Sequence, residues 1–207
     1  EVAIASELED PSAPLRAEVR LFSSILGVVL QETHGESLLE DVERLRRATI
    51  ELRRSRGPEA EERLRQVDEL VNGLDPDRAE AVARAFTVYF QLVNLAEERH
   101  RVRILRSRSH EPVAVAESLA ATISDLSGRL GVEEMARLVD ELEIRPVLTA
   151  HPTEARRRAV VDALARIADQ AEKLSDPRLA ASEHADAERR LAEQVSVLWR
   201  TAQLRRQ

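Results

Sequence analysis

The residues with most chemistry to offer lie in one stretch, Arg145-Pro146-Val147-Leu148-Thr149-Ala150-His151-Pro152-Thr153-Glu154-Ala155-Arg156-Arg157-Arg158. An imidazole titrates near neutrality and can take or give a proton there. Here it is followed by a carboxylate and three guanidiniums, and guanidiniums pair with carboxylates and phosphates in planar, bidentate fashion. That combination suits acid–base work on an anionic substrate.

The elements around it must hold the imidazole in place. Val147-Leu148-Thr149 is short, apolar and rich in β-branched residues, which predicts a buried strand over about 145–150. Pro152 disfavours the helical region for the residue before it, so His151 should end that strand in an extended conformation. Pro152 itself suits the first position of a helix. The spacing therefore predicts a helix over about 152–174, with Glu154 in its first turn and the free N–H groups of its N-terminus beside His151. A second reading stays open: a histidine at a strand–helix junction can be purely structural.

The rest of the chain reads as helices. A first runs over about 15–33, with Leu15, Val19, Phe22, Ile25, Leu26, Val29 and Leu30 at three- and four-residue steps. His34-Gly35 ends it. Ser37 and Glu40 form a capping-box pattern that opens a second helix, stopped at Arg56-Gly57-Pro58. Pro58 begins a third, with Leu64, Val67, Leu70 and Val71 inward and Gly73 at its end. Asp75-Pro76 reads as N-cap and first residue of a long fourth helix. Its predicted stripe is Ala79, Val82, Phe86, Tyr89, Phe90, Val93 and Ala96, so its aromatics read as core. The following run from Glu97 to Arg103 reads as a solvated, self-paired face, and His34, His100, His110 and His184 as structural. After a linker at 107–114, helices are predicted over about 115–126 and 133–142. The last covers about 186–206 and buries Leu191, Val195 and Leu198, with Trp199 beside them. The chain thus divides into an N-terminal helical region, 1–142, and a part at 143–207 that carries the strand, the histidine loop and two helices.

Composition sets the class. The chain has 207 residues, 43% of them hydrophobic and 33% charged, with 2% aromatic, 6 Gly and 8 Pro. That is a globular, all-α or nearly all-α balance. The net charge of −7 gives no general attraction to nucleic acid. Lys173 is the only lysine. Without cysteine there is no disulfide framework and no thiolate metal site. No apolar run reaches the ~18–20 residues of a membrane span, and no secretory signal opens the chain, so a cytoplasmic protein is expected. The chain begins with Glu1 rather than Met, which reads as a processed or engineered start.

Val-Leu-Thr-Ala-His-Pro-Thr-Glu-Ala-Arg-Arg-Arg at 147–158 resembles the histidine signature of the phosphoenolpyruvate carboxylase family, unbroken over twelve residues. Three further stretches resemble the family in the same order: residues 26–35, residues 90–103 and residues 198–205. Members often have Gln where Arg200 stands. The resemblance runs from about residue 14 to 206.

It implies a helix-rich (β/α)-type barrel enzyme, of which residues 145–150 are the first strand. Catalytic groups of such barrels sit at the C-terminal ends of strands. It implies carboxylation of phosphoenolpyruvate by bicarbonate to oxaloacetate and phosphate, with Mg²⁺ or Mn²⁺, in an allosteric homotetramer. His151 is then the base that deprotonates carboxyphosphate. Thr153 and Glu154 orient its turn, and Arg157 and Arg158 lie near the substrate or pair with barrel acids. The same resemblance places the metal ligands, the glycine-rich loop, the second catalytic segment and the allosteric C-terminus beyond Gln207. On that count residues 1–207 alone should not turn over. Two rivals remain: a truncated, non-catalytic helical interaction module, and a phosphohistidine carrier.

Overall fold

Few Gly and Pro interrupt the apolar patterns, and those patterns form helices. The structure, a computed structural model, describes residue 10 and residues 12–109, 118–145 and 157–201. Among the described residues every regular element is an α-helix: α1 Ala13–His34, α2 Glu36–Arg54, α3 Pro58–Asn72, α4 Pro76–Ser109, α5 Leu119–Ser127, α6 Val132–Asp140, α7 Arg158–Leu174 and α8 Ala181–Thr201. The expected strand over 145–150 lies, apart from Arg145, outside the described residues.

The chain forms two units, Glu1–Glu97 with Arg157–Gln207, and Glu98–Arg156. In the first, α1 packs against α2 and α8, α2 against α3, and α7 along α8. One apolar cluster joins Phe22, Leu26, Val29 and Leu30 of α1 to Leu38 of α2, to α4 and to the α7–α8 hairpin. Polar ties span the helices too. Arg78 of α4 donates to Asp41 of α2 at 2.7 Å, and Arg63 of α3 pairs with Glu51 of α2 at 3.0 Å. In the second unit α5 packs against α6, and Ser118 caps α5 by accepting from the Ala121 N–H at 3.1 Å. No residue of 118–145 is buried.

Several expectations need correction. The N-cap of α2 is Gly35, with no side-chain cap, and Ser37 lies inside the first turn. Gly35 (φ 80, ψ 172) also ends α1, so one residue turns the chain between two helices and leaves no room for a capping box. On α3, Leu64 and Val71 are 49% and 44% exposed, because only one edge of that short helix meets α2. On α4 the buried stripe is Ala81, Val82, Ala85, Val88, Leu92 and Ala96. Phe86 and Tyr89 are only partly buried against the cluster, and Phe90 is 57% exposed. The predicted stripe lay one position round the helix. The small side chains of Ala81 and Ala85 let neighbours pack close, whereas a reading by apolar bulk favoured the aromatics. Residues 107–109 belong to α4 rather than to a linker.

Candidate functional site

The α7–α8 hairpin is what positions the exit of the histidine-bearing stretch. Val160, Ala163, Leu164, Ile167 and Ala171 fall on one side of α7, and all are buried. They face the matching stripe of α8, Ala187, Leu191, Val195, Leu198 and Trp199. Ser175-Asp176-Pro177 ends α7, as Pro177 cannot continue it. Glu183 then reaches back to accept from the Ala180 N–H at 3.0 Å and fixes the start of α8. The hairpin brings the beginning of α7 beside the end of α8. There Arg157 Nη1 donates to the Thr201 carbonyl at 3.5 Å.

The helix after the histidine does not start at Pro152. Its first residue is Arg158, and Arg157 is its extended N-cap, φ −61 and ψ 140, with no side-chain cap. Pro152 and Glu154, expected in its first turn, lie outside the described residues. The physical reason for the start at Arg158 lies at the end of α8, where a guanidinium is favourable to the helix dipole. Extended backbone at Arg157 frees its side chain to meet the last-turn carbonyl of α8, one of the four that a helix leaves unpaired. Val160 and Val161 N–H groups then close onto the Arg157 carbonyl at 2.9 and 3.2 Å.

Of the predicted site residues, Arg157 and Arg158 are brought together, both exposed, at this joint. His151, Thr153 and Glu154 lie outside the described residues, as does Arg156. At the other end of the stretch Arg145 is exposed and paired with Glu143 at 2.6 Å. That carboxylate raises the Arg145 pKa further above its ordinary value, chiefly through the side-chain hydrogen bond.

One cluster escaped the sequence reading. Trp199, 1% exposed, carries the Arg84 guanidinium over its ring at 4.9 Å, and the His34 ring meets it at 5.3 Å in a T-shaped contact. Three helices, α1, α4 and α8, thus converge on one indole. Arg84 also pairs with Glu80 at 3.2 Å. The Glu80–Arg84 spacing of four was the one available signal, and it reads as an ordinary surface pair. His34 has a pKa lowered from its ordinary 6.5, first by partial burial and then by Arg84 and Arg78. A groove of about 340 Å³ between α1, α2 and α4, lined by Leu26, Leu39, Phe86 and Tyr89, is built from none of the predicted site residues.

Among the described residues no three His, Cys, Asp or Glu side chains converge as metal ligands. No helix among them is long and apolar enough to cross a membrane.

Comparison with known proteins covers nearly all of the chain. The family profile described as phosphoenolpyruvate carboxylase matches residues 15–207. The phosphoenolpyruvate carboxylase of Burkholderia vietnamiensis is 33% identical over 202 residues, 95% of this chain and 20% of that protein. That of Azorhizobium caulinodans is 33% identical over 214 residues, 99% of this chain and 22% of that protein. That of Corynebacterium efficiens is 35% identical over 204 residues, 92% of this chain and 21% of that protein. The chain spans about a fifth of the length of these curated relatives.

Proposed function

The chain belongs to the phosphoenolpyruvate carboxylase family, and from that membership we propose that it supplies the amino-terminal helices and the first catalytic histidine of an enzyme that makes oxaloacetate. The substrates are phosphoenolpyruvate and bicarbonate. The observation that carries this reading is the family match over residues 15–207, which includes the whole histidine-bearing stretch. It favours the enzyme over a non-catalytic helical module.

In this reading a bicarbonate oxygen attacks the phosphoryl group and displaces pyruvate enolate, giving carboxyphosphate. His151 takes the carboxyphosphate proton. The C–O bond to the phosphoryl group breaks, phosphate leaves, and the enolate carbon captures the CO₂. An imidazole suits the proton transfer because it is partly neutral and partly charged near pH 7. Thr153 and Glu154 orient the turn. Arg157 and Arg158 add positive potential at the joint where α7 begins, which favours anionic intermediates. Residues 145–150 form the first strand of a barrel whose other strands belong to the remainder of the family's length. The division at 142/143 marks the change from helical region to barrel.

The family's divalent cation, Mg²⁺ or Mn²⁺, finds no set of three ligands among the described residues. A cytoplasmic, allosteric homotetramer that feeds the tricarboxylic acid cycle completes the proposal. The test is oxaloacetate formation by the full-length gene product, followed by coupled NADH oxidation. Bicarbonate-dependent turnover supports the reading. Its absence in a folded, metal-supplemented protein overturns it.

A further inference from the structure

We propose that Arg84 is a positioning residue: stacked on Trp199, it fixes the last turn of α8 and thereby the place of Arg157, where the histidine-bearing stretch joins α7. The inference rests on the catalytic reading of that stretch given above.

The argument starts from an expensive burial. The Arg84 side chain is only 10% exposed, and its Nε is buried with no hydrogen-bond partner among the described residues. A buried orphan N–H is costly, and an alkyl chain would fill the same space without that cost. The guanidinium contributes what an alkyl chain lacks, a directional attraction to the indole face, strengthened where water is excluded. Glu80 takes part of its charge at 3.2 Å. The indole is also met by His34, so both its face and its surroundings are set by α1 and α4.

Trp199 lies two residues before Thr201, whose carbonyl accepts from Arg157. The Arg157 carbonyl in turn receives the Val160 and Val161 N–H groups that open α7. A chain of four contacts therefore runs from α4 to the joint: Arg84 to Trp199, Trp199 to the Thr201 turn, Thr201 to Arg157, Arg157 to the start of α7. Leu191, Val195 and Leu198 hold α8 in the core by apolar burial alone. Apolar contacts are non-directional, and the stack adds a directional contact in the last turn.

The experiment uses the full-length protein with two substitutions, Arg84→Met and Arg84→Lys. Amide hydrogen exchange and steady-state carboxylation are measured on each. Arg84→Met keeps the bulk and removes the cation. It should speed exchange of the Val160 and Val161 amides by ~10-fold while α2 stays unchanged. It should lower kcat for oxaloacetate by a similar factor and leave KM for phosphoenolpyruvate within about twofold. Arg84→Lys should recover most of both effects. Unchanged Val160 and Val161 exchange in folded Arg84→Met overturns the relay, whatever the protein catalyses. Faster exchange with unchanged kcat overturns the positioning role. Failure of the wild-type protein to make oxaloacetate overturns the catalytic reading instead, and with it the role assigned here to Arg84.

Discussion

The carboxylate of Asp41 on α2 binds the Arg78 guanidinium of α4 at 2.7 Å, 37 residues away in sequence, and also holds Arg44 of its own helix at 3.0 Å. Both partners of the longer pair are mostly buried, at 18% and 23% side-chain exposure. It is the kind of pair whose loss leaves a partly desolvated charge behind, unlike the many exposed pairs along α3 and α8. Asp41→Ala should therefore destabilise the fold by about 1–3 kcal/mol. Urea unfolding followed by circular dichroism measures this. A change of a few tenths of a kcal/mol would mean that solvent already screens the pair.

Gly35 makes a second, purely backbone prediction. Its φ of 80 and ψ of 172 fall in a region that only glycine occupies comfortably, and a Cβ placed there would meet nothing within 4 Å. Gly35→Ala should cost about 1–3 kcal/mol from conformation alone. Ser37→Ala should cost under about 0.5 kcal/mol, because Ser37 caps nothing. The reverse ranking in urea melts would restore the capping box.

The helices were legible because their apolar steps are regular and their stops are chemical. Asp75 illustrates this: its carboxylate accepts from the Arg78 N–H at 2.9 Å, the N-cap that Asp75-Pro76 announces. The buried face of α8 was legible for the same reason. The stripe of α4 was not, since two neighbouring faces of that helix both follow three- and four-residue steps. Which one is buried depends on how closely other helices approach Ala81 and Ala85. The start of α7 was not legible either. It turns on a contact between Arg157 and Thr201, 44 residues apart, which no local pattern encodes. The resemblance to a family was carried by a short string of unusual residues, while His151, Thr153 and Glu154 keep the roles proposed for them on that footing alone.

His34 gives the chain a pH dependence of definite sign. Partial burial, then Arg84 and Arg78, lowers its pKa below the ordinary 6.5. Protonation thus favours the unfolded chain. The contribution of His34 to stability is complete above about pH 6.5 and is lost as pH falls through the lower, folded value. Urea midpoints of wild type and His34→Asn should converge or cross between pH 7.5 and 5.5, with the wild type losing more on acidification. Parallel curves over that interval would exclude His34 as the source.

Residues 1–207 by themselves should show no carboxylase turnover. The chain spans about a fifth of its relatives, and the family resemblance places the cation ligands outside it. The coupled NADH assay, run with excess Mg²⁺ and again with chelator, decides this. Chelator-sensitive oxaloacetate formation by the purified 207-residue chain would show that the parts it needs are all present.

His151→Asn in the full-length protein separates the two halves of the proposed reaction. Asparagine keeps the polarity and approximate reach of the side chain but cannot take the carboxyphosphate proton. Attack of bicarbonate on the phosphoryl group does not use that proton transfer, so bicarbonate-dependent phosphate release should persist. The enolate left behind, with no CO₂ to capture, should be protonated to pyruvate. Loss of a general base typically slows its own step ~10²–10⁴-fold, and oxaloacetate should fall by that order while pyruvate takes its place. Phosphate, pyruvate and oxaloacetate are assayed in parallel, with and without bicarbonate. Oxaloacetate that keeps pace with phosphate would remove His151 as the base. Loss of all three products from a correctly folded variant would move His151 to the first phosphoryl transfer, because only a group needed before carboxyphosphate forms can abolish phosphate release as well.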